Sequence, residues 1–174
     1  HTQQYESAIR YLSQALQYAP KTPDALFHLA LSYQCQERQP KEVIKAFQAV
    51  IAEKPDHLEA LKYLAPLFEA QSEYMSAIQH YETAVQIDSK DSNLFLALGK
   101  LYRATSQFEN AIIAFANILR IDPTNAEAYA LMGEVYYYQG ETQRAIDAYQ
   151  NAITQNPDND MAYYHLGILH RSRG

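Results

Sequence analysis

The chain has 174 residues, 48% of them hydrophobic and 20% charged, with a net charge of −6. That length and apolar content suit one globular core and exclude a disordered chain, and interspersed acidic charge excludes the basic footprint of a nucleic-acid-binding surface. A single cysteine, Cys35, excludes an intrachain disulfide framework and reads as a small buried or half-buried apolar residue, and no apolar run reaches the roughly eighteen residues of a membrane-spanning helix.

The chain opens on "HTQQYESAIR", which lacks the basic and apolar regions of a signal peptide; the compartment expected is the cytoplasm, and the single thiol leaves the periplasm open. Residues 8–16, "AIRYLSQAL", place Ala8, Leu12 and Ala15 on one helical face. Segment 26–33, "LFHLALSY", carries a second pattern: a large residue, an apolar residue at +3, a small one at +4 and an aromatic at +7. That is the spacing of an amphipathic helix. The two patterns then alternate down the chain. The first recurs at 43–51 ("VIKAFQAVI"), 77–85 ("AIQHYETAV"), 111–119 ("AIIAFANIL") and 145–153 ("AIDAYQNAI"). The second recurs at 61–68 ("LKYLAPLF"), 95–102 ("FLALGKLY"), 129–136 ("YALMGEVY") and 163–170 ("YYHLGILH"), where His170 takes the aromatic place.

Pro20, Pro55, Pro123 and Pro157 each fall twelve residues after the start of a first-pattern helix. Proline cannot continue a helix interior, so each predicts a helix end and a turn. Ser89 holds the corresponding place within "DSKDSN", a run whose side chains bond nearby backbone in turns. Leu64, Leu98, Met132 and Leu166 follow one another at a period of 34 residues. Pro66 departs from the pattern. It falls inside a predicted helix, removes a backbone donor from the turn that faces the carbonyl of Lys62, and predicts a kink.

Helix pairs of period 34 carrying L-G-x-x-Y, then Ala, an aromatic and Pro resemble the tetratricopeptide repeat family. The segment 126–159 carries the pattern most fully, with Tyr129, Met132, Gly133, Tyr136, Ala145, Tyr149, Ala152 and Pro157. The resemblance covers essentially the whole chain. It implies an all-α, right-handed superhelical solenoid of antiparallel helix pairs, in one domain of four full repeats plus a half repeat at each end. The implied boundaries are 1–22 (a second helix alone), 23–57, 58–91, 92–125, 126–159 and 160–174 (a first helix alone). Repeat 23–57 has one extra residue, placed in the "CQERQPKE" turn, and Ala30 and Ala65 stand where the pattern has glycine.

The resemblance also implies a concave groove lined by the first helix of each pair, where a peptide segment of a partner binds. Mapped onto this chain, the lining is Phe27 and Leu31 in the first such helix, then Lys62, Tyr63 and Glu69, then Leu96, Lys100 and Arg103. It continues with Glu127, Glu134, Tyr137 and Tyr138, and closes with Tyr164, Ile168 and Arg171. Neighbouring Ser172 belongs to the same set. Members that hold the acidic C-terminal tails of heat-shock chaperones use Lys and Asn on one helix, Asn on the next, and Lys and Arg on the third. Starting from Lys62, this chain offers Pro66, Ala97, Glu127 and Leu131 at those places, which disfavours such tails. A partner with apolar or aromatic anchors and some basic residues suits the lining and the net negative field.

No phosphate-cradling glycine loop, G-x-S-x-G elbow or H-E-x-x-H pair occurs, and His165 and His170 are five apart, which does not stack them as ligands on one helical face. "NPDND" (156–160) lacks the Gly and distal Glu of a calcium loop and reads as a turn. No catalysis, cofactor, metal or membrane insertion is expected. The expected role is a protein-interaction scaffold. The alternative is a substrate-recruiting segment of a larger enzyme such as a glycosyltransferase, or of a bacterial envelope assembly factor; the frequent Gln and N-P-D-type turns have a prokaryotic style. Nine tyrosines (5, 33, 74, 81, 102, 129, 136, 149 and 163) fall at packing places, whereas Tyr63, Tyr137, Tyr138 and Tyr164 point toward or beside the groove. The first and last helices each lack the mate the repeat supplies, which predicts either further flanking repeats or head-to-tail self-association.

Overall fold

The computed structural model describes residues 2–171, and the regular structure among them is entirely helical. The chain divides into two compact units, His1–Asp88 and Ser89–Gly174. The first holds α1 (Thr2–Tyr18), α2 (Pro23–Cys35), α3 (Pro40–Glu53), α4 (Leu58–Ala70) and α5 (Tyr74–Ile87). The second holds α6 (Ser92–Ala104), α7 (Phe108–Ile121), α8 (Ala126–Tyr138), α9 (Thr142–Gln155) and α10 (Asp160–Arg171).

In the first unit α2 packs against α3 and α4 against α5, with α1 on α2 and α3 on α4. In the second, α6 packs against α7 and α8 against α9, with α7 on α8 and α10 on both α9 and α8. Each of these four helix pairs turns in the same way. Glu37, Ser72, Ser106 and Gly140 hold positive φ of 52°, 62°, 59° and 76°. At each turn that residue donates its N–H to the carbonyl three residues back, and the next residue donates to the carbonyl five back: Gly140 to Tyr137 and Glu141 to Tyr136, for example. This is the Schellman termination, which satisfies the last carbonyls of the first helix and reverses the chain. The loop of pair α2–α3 is one residue longer than the other three, where Pro40 opens α3.

Second helices end two residues before Pro20, Pro55, Ser89, Pro123 and Pro157, as a residue without an N–H, or a turn-forming serine, requires. Four of the five first helices begin on side-chain caps: the His57 ring accepts from the Ala60 N–H, Asp91 from Asn93, Asn125 from Ala128 and Asn159 from Ala162, whereas Pro23 opens α2. Pro66 lies inside α4, which runs without interruption, and its ring is exposed.

The core repeats one contact. Phe115 and Tyr149 are fully buried on the second helix of their pair, and their rings lie directly over Gly99 and Gly133. Ala30 and Ala65 hold the glycine place opposite Phe47 and Tyr81, so those pairs accommodate one more carbon. Each buried ring contributes about 1.5–3 kcal/mol.

Two expectations need correction. Cys35 is exposed at the C-terminal end of α2, and its thiol, beside the Tyr5 hydroxyl on α1, raises that phenol's pKa. Tyr163 and Tyr74, expected in packing places, are 53% and 40% exposed, and Tyr74 is the first residue of α5. Leu61 and Phe95 are buried at the same place of their helices, but no described helix follows α10 to cover Tyr163.

Candidate functional site

Each unit gathers aromatic rings on its first helices. In the first unit Phe27 on α2 lies 4.8 Å from the His57 ring and 6.0 Å from both Tyr63 on α4 and Phe47 on α3. Tyr63 stacks on Phe47 at 5.4 Å and 6°, with its outer side exposed. Leu31 and Lys62 are half-buried and Glu69 is exposed. Burial, helped by the Glu69 charge, pushes the Tyr81 phenol up to about 12.

The second unit carries a longer line of rings. Phe108, opening α7, stacks on Tyr138 at 6.4 Å; Tyr138 meets Tyr137 edge-on at 5.9 Å; Tyr137 lies 5.7 Å from His165, and His165 lies 5.3 Å from Tyr164. Beneath them the buried Tyr149 stacks on His165 at 5.2 Å and 4°. Tyr138 and Tyr164 are 58% and 66% exposed; Tyr137, His165 and Phe108 are half-buried. Tyr137 packs against the core cluster of Ala130, Tyr149 and Leu169, so it also supports the fold.

Two ion pairs flank the rings and join α6 to α8. Lys100 reaches Glu127 at 2.9 Å with both ends exposed, and Arg103 pairs with Glu134 in a half-buried setting. Both cations of α6 are therefore already engaged. Leu96 and Glu127 share a small polar crevice of about 80 Å³ with Asn93 and Asn125. Ile168 is half-buried on α10, Arg171 is exposed at its end, and Ser172 lies outside the described residues.

Three buried polar atoms of this unit have no hydrogen-bond partner among the described residues: Tyr149 Oη, His165 Nδ1 and Gln139 Oε1 at the C-cap of α8. The Tyr149 hydroxyl has the phenols of Tyr138 and Tyr137 and the Arg103 guanidinium as electrostatic neighbours. Burial raises the Tyr149 pKa and lowers that of His165, which is therefore neutral at pH 7.

Sequence reasoning missed His57, Phe108, His165 and the Tyr149 hydroxyl. A signal for part of this was present. Phe47 and Tyr63 are 16 residues apart, as are Tyr149 and His165, whereas the same spacing joins Tyr81 to Ala97 and Phe115 to Leu131. Rings meet only where both places are aromatic, which happens once in each unit. On the opposite side of two pairs lie clefts at equivalent places. One of about 380 Å³ holds Leu26, Leu29 and Tyr33, with Arg38 over the Tyr33 ring; another of about 350 Å³ holds Tyr129, Met132 and Tyr136, with Arg144 over Tyr136.

Among the described residues no three His, Cys, Asp or Glu side chains gather as a metal site, and no helix is long and apolar enough to cross a membrane. The profile of a tetratricopeptide repeat matches residues 2–55 and 36–92, and that of a TPR repeat matches 99–140 and 133–174. The chain belongs to the tetratricopeptide repeat family. No curated protein sequence matches this tetratricopeptide chain. Among solved structures it resembles YrrB, described as a TPR protein with an unusual peptide-binding site, at TM-score 0.79 and 19% identity, over 95% of this chain and 84% of that one. It also resembles MamA at TM-score 0.73 and 21% identity, over 88% of this chain and 89% of that one. A MamA fragment from Desulfovibrio magneticus RS-1 aligns at TM-score 0.70 and 18% identity, over 90% and 88%. At these identities the likeness is one of fold.

Proposed function

We propose that this tetratricopeptide chain is a protein-interaction scaffold that binds a peptide segment of a partner on the aromatic face of its helices and performs no chemistry on it. The observation that carries the reading is the line of rings from Phe108 to Tyr164, with Tyr138 and Tyr164 presenting large, rigid, exposed surface. Such side chains supply contact area at low entropic cost and dominate interface energies. The peptide-binding site named for YrrB supports the idea that this fold holds peptides. Acidic tails are poor ligands here, since Lys100 and Arg103 are held by Glu127 and Glu134 and the chain carries a net charge of −6.

The test is a selection of displayed random peptides on the immobilised chain, followed by titration of the enriched peptides with the parent and with Tyr138→Ala and Tyr164→Ala. Both variants should lose affinity by about tenfold or more while keeping the parent's helical signal. Enriched peptides that bind both variants as tightly as the parent would refute the reading. A second reading, association of copies, draws on the exposed Tyr163 face of α10; a strictly monomeric mass by light scattering at high concentration excludes it.

A further inference from the structure

Complementarity of hydrogen-bonding groups narrows the class of peptide, on the reading that the ring line is a peptide site. The face offers several unspent donors against one unpaired acceptor, Gln139 Oε1 at the C-cap of α8. The Tyr149 hydroxyl is fully buried and unpaired; at the equivalent places Phe47 and Phe115 carry no hydroxyl, and the Tyr81 hydroxyl is not among the unpaired buried atoms. An orphaned hydroxyl is costly, and phenylalanine fills the same place in two other pairs. Arg103 has five N–H groups, more than one carboxylate occupies, and neutral His165 offers Nδ1–H in one tautomer. The two carboxylates of the face, Glu127 and Glu134, each already hold a cation.

A ligand that fits brings acceptors, few donors, and apolar surface flat enough for stacked rings. An α-helical segment fails, because its carbonyls are spent internally and the Tyr149 hydroxyl stays unpaired. A β-extended segment brings an N–H for every carbonyl and finds few acceptors to receive them. A proline-rich segment in polyproline II form has exposed carbonyls and no N–H at its prolines, and pyrrolidine rings pack on aromatic faces.

We propose that the aromatic face of the second unit, from Phe108 to Tyr164, binds a proline-rich segment in polyproline II conformation, with the Tyr149 hydroxyl donating to one of its carbonyls. Prolines sit over Tyr138 and Tyr164. The Tyr138 phenol, a neighbour of that hydroxyl with solvent on its outer side, turns to admit the carbonyl and packs on the flanking proline. No bond is made or broken.

The experiment titrates the whole chain with three synthetic probes of equal length: oligoproline, an amphipathic Ala/Leu/Lys helix, and a Gly/Ser segment. It follows backbone amide shifts by NMR and affinity by calorimetry. Oligoproline should shift the amides of Tyr137, Tyr138, Tyr164 and His165, and the other two probes should not. Tyr149→Phe should weaken oligoproline binding about fivefold while raising the melting temperature, a combination that packing alone does not produce. Tyr164→Ala should weaken it further. Binding of the helical probe at these residues without binding of oligoproline overturns the polyproline assignment and leaves the peptide-binding reading standing. Oligoproline binding that Tyr149→Phe leaves unchanged overturns the role of the hydroxyl. Absence of binding by all three probes, with no ring-dependent peptide emerging from selection, overturns both readings.

Discussion

Replacing Gly99 by alanine tests the closest approach in the second unit. A Cβ built at Gly99 stands 2.4 Å from Phe115 Cε1, 2.8 Å from Cδ1 and 2.9 Å from Cζ. Carbon atoms rest at about 3.5–4.0 Å, so the overlap is on the order of 1 Å. Phe115 is fully buried and its ring has no solvent side to move toward. Overpacking of this kind costs about 1–3 kcal/mol, and the tightness of the contact puts Gly99→Ala at the upper end. Better helix propensity returns about 1 kcal/mol. The net is a loss of about 2 kcal/mol, which for a chain of this length lowers Tm by roughly 4–8 °C. Guanidinium and thermal unfolding followed by circular dichroism measure it. Trimming the opposing ring by Phe115→Leu should relieve the overlap, so Gly99→Ala should cost at least about 1 kcal/mol less in that background. A Gly99→Ala variant as stable as the parent, or costs that simply add in the double variant, would refute the claim that Gly99 is small because the Phe115 ring lies over it.

Three further outcomes are expected. Ser72 and Ser106 occupy the same left-handed turn place as Gly140, so Ser72→Gly and Ser106→Gly should each stabilise by about 0.5–1 kcal/mol in chemical denaturation, and Gly140→Ala should destabilise by a similar amount. Glu134→Gln removes the charge from a half-buried pair and should cost about 1–2 kcal/mol, discounted for partial solvent screening. Glu127→Gln, in an exposed pair, should cost less than about 1 kcal/mol and lose that effect in added salt. The His165 pKa is lowered by burial, so the unfolded chain binds the proton more readily and the native state's advantage is fully present above the unfolded pKa, about 6.5. That contribution is lost as pH falls from there through the folded pKa. His165→Phe, which keeps a ring on Tyr149, should flatten the decline in Tm between neutral and mildly acidic pH; an unchanged slope counts against the burial of this imidazole.

Single substitutions in the ring line also separate support from contact. Tyr137 packs on the core cluster whereas Tyr138 is largely exposed. Tyr138→Ala should therefore leave Tm nearly unchanged, and Tyr137→Ala should lower Tm as well as affinity. Adjacent residues on a helix point about 100° apart, so a run of three tyrosines cannot share one environment.

Repetition by itself determined the helix pairs. The alternation of two spacings, the prolines twelve residues into each second helix and the 34-residue period leave one regular arrangement for the backbone, because each signal is local and recurs. That Gly133 and Tyr149 hold places of the repeat was legible for the same reason, and the ring's position over the glycine was not. Tertiary structure alone decided which rings meet, that Lys100 and Arg103 are already held by Glu127 and Glu134, and that the Tyr149 hydroxyl is buried without a partner. Those facts depend on side chains from helices 16 to 31 residues apart in the chain, whose contacts follow from how helices pack and not from the period that forms them. Exposure of Cys35 and Tyr163 belongs with them, since a helical face is buried only where another helix covers it.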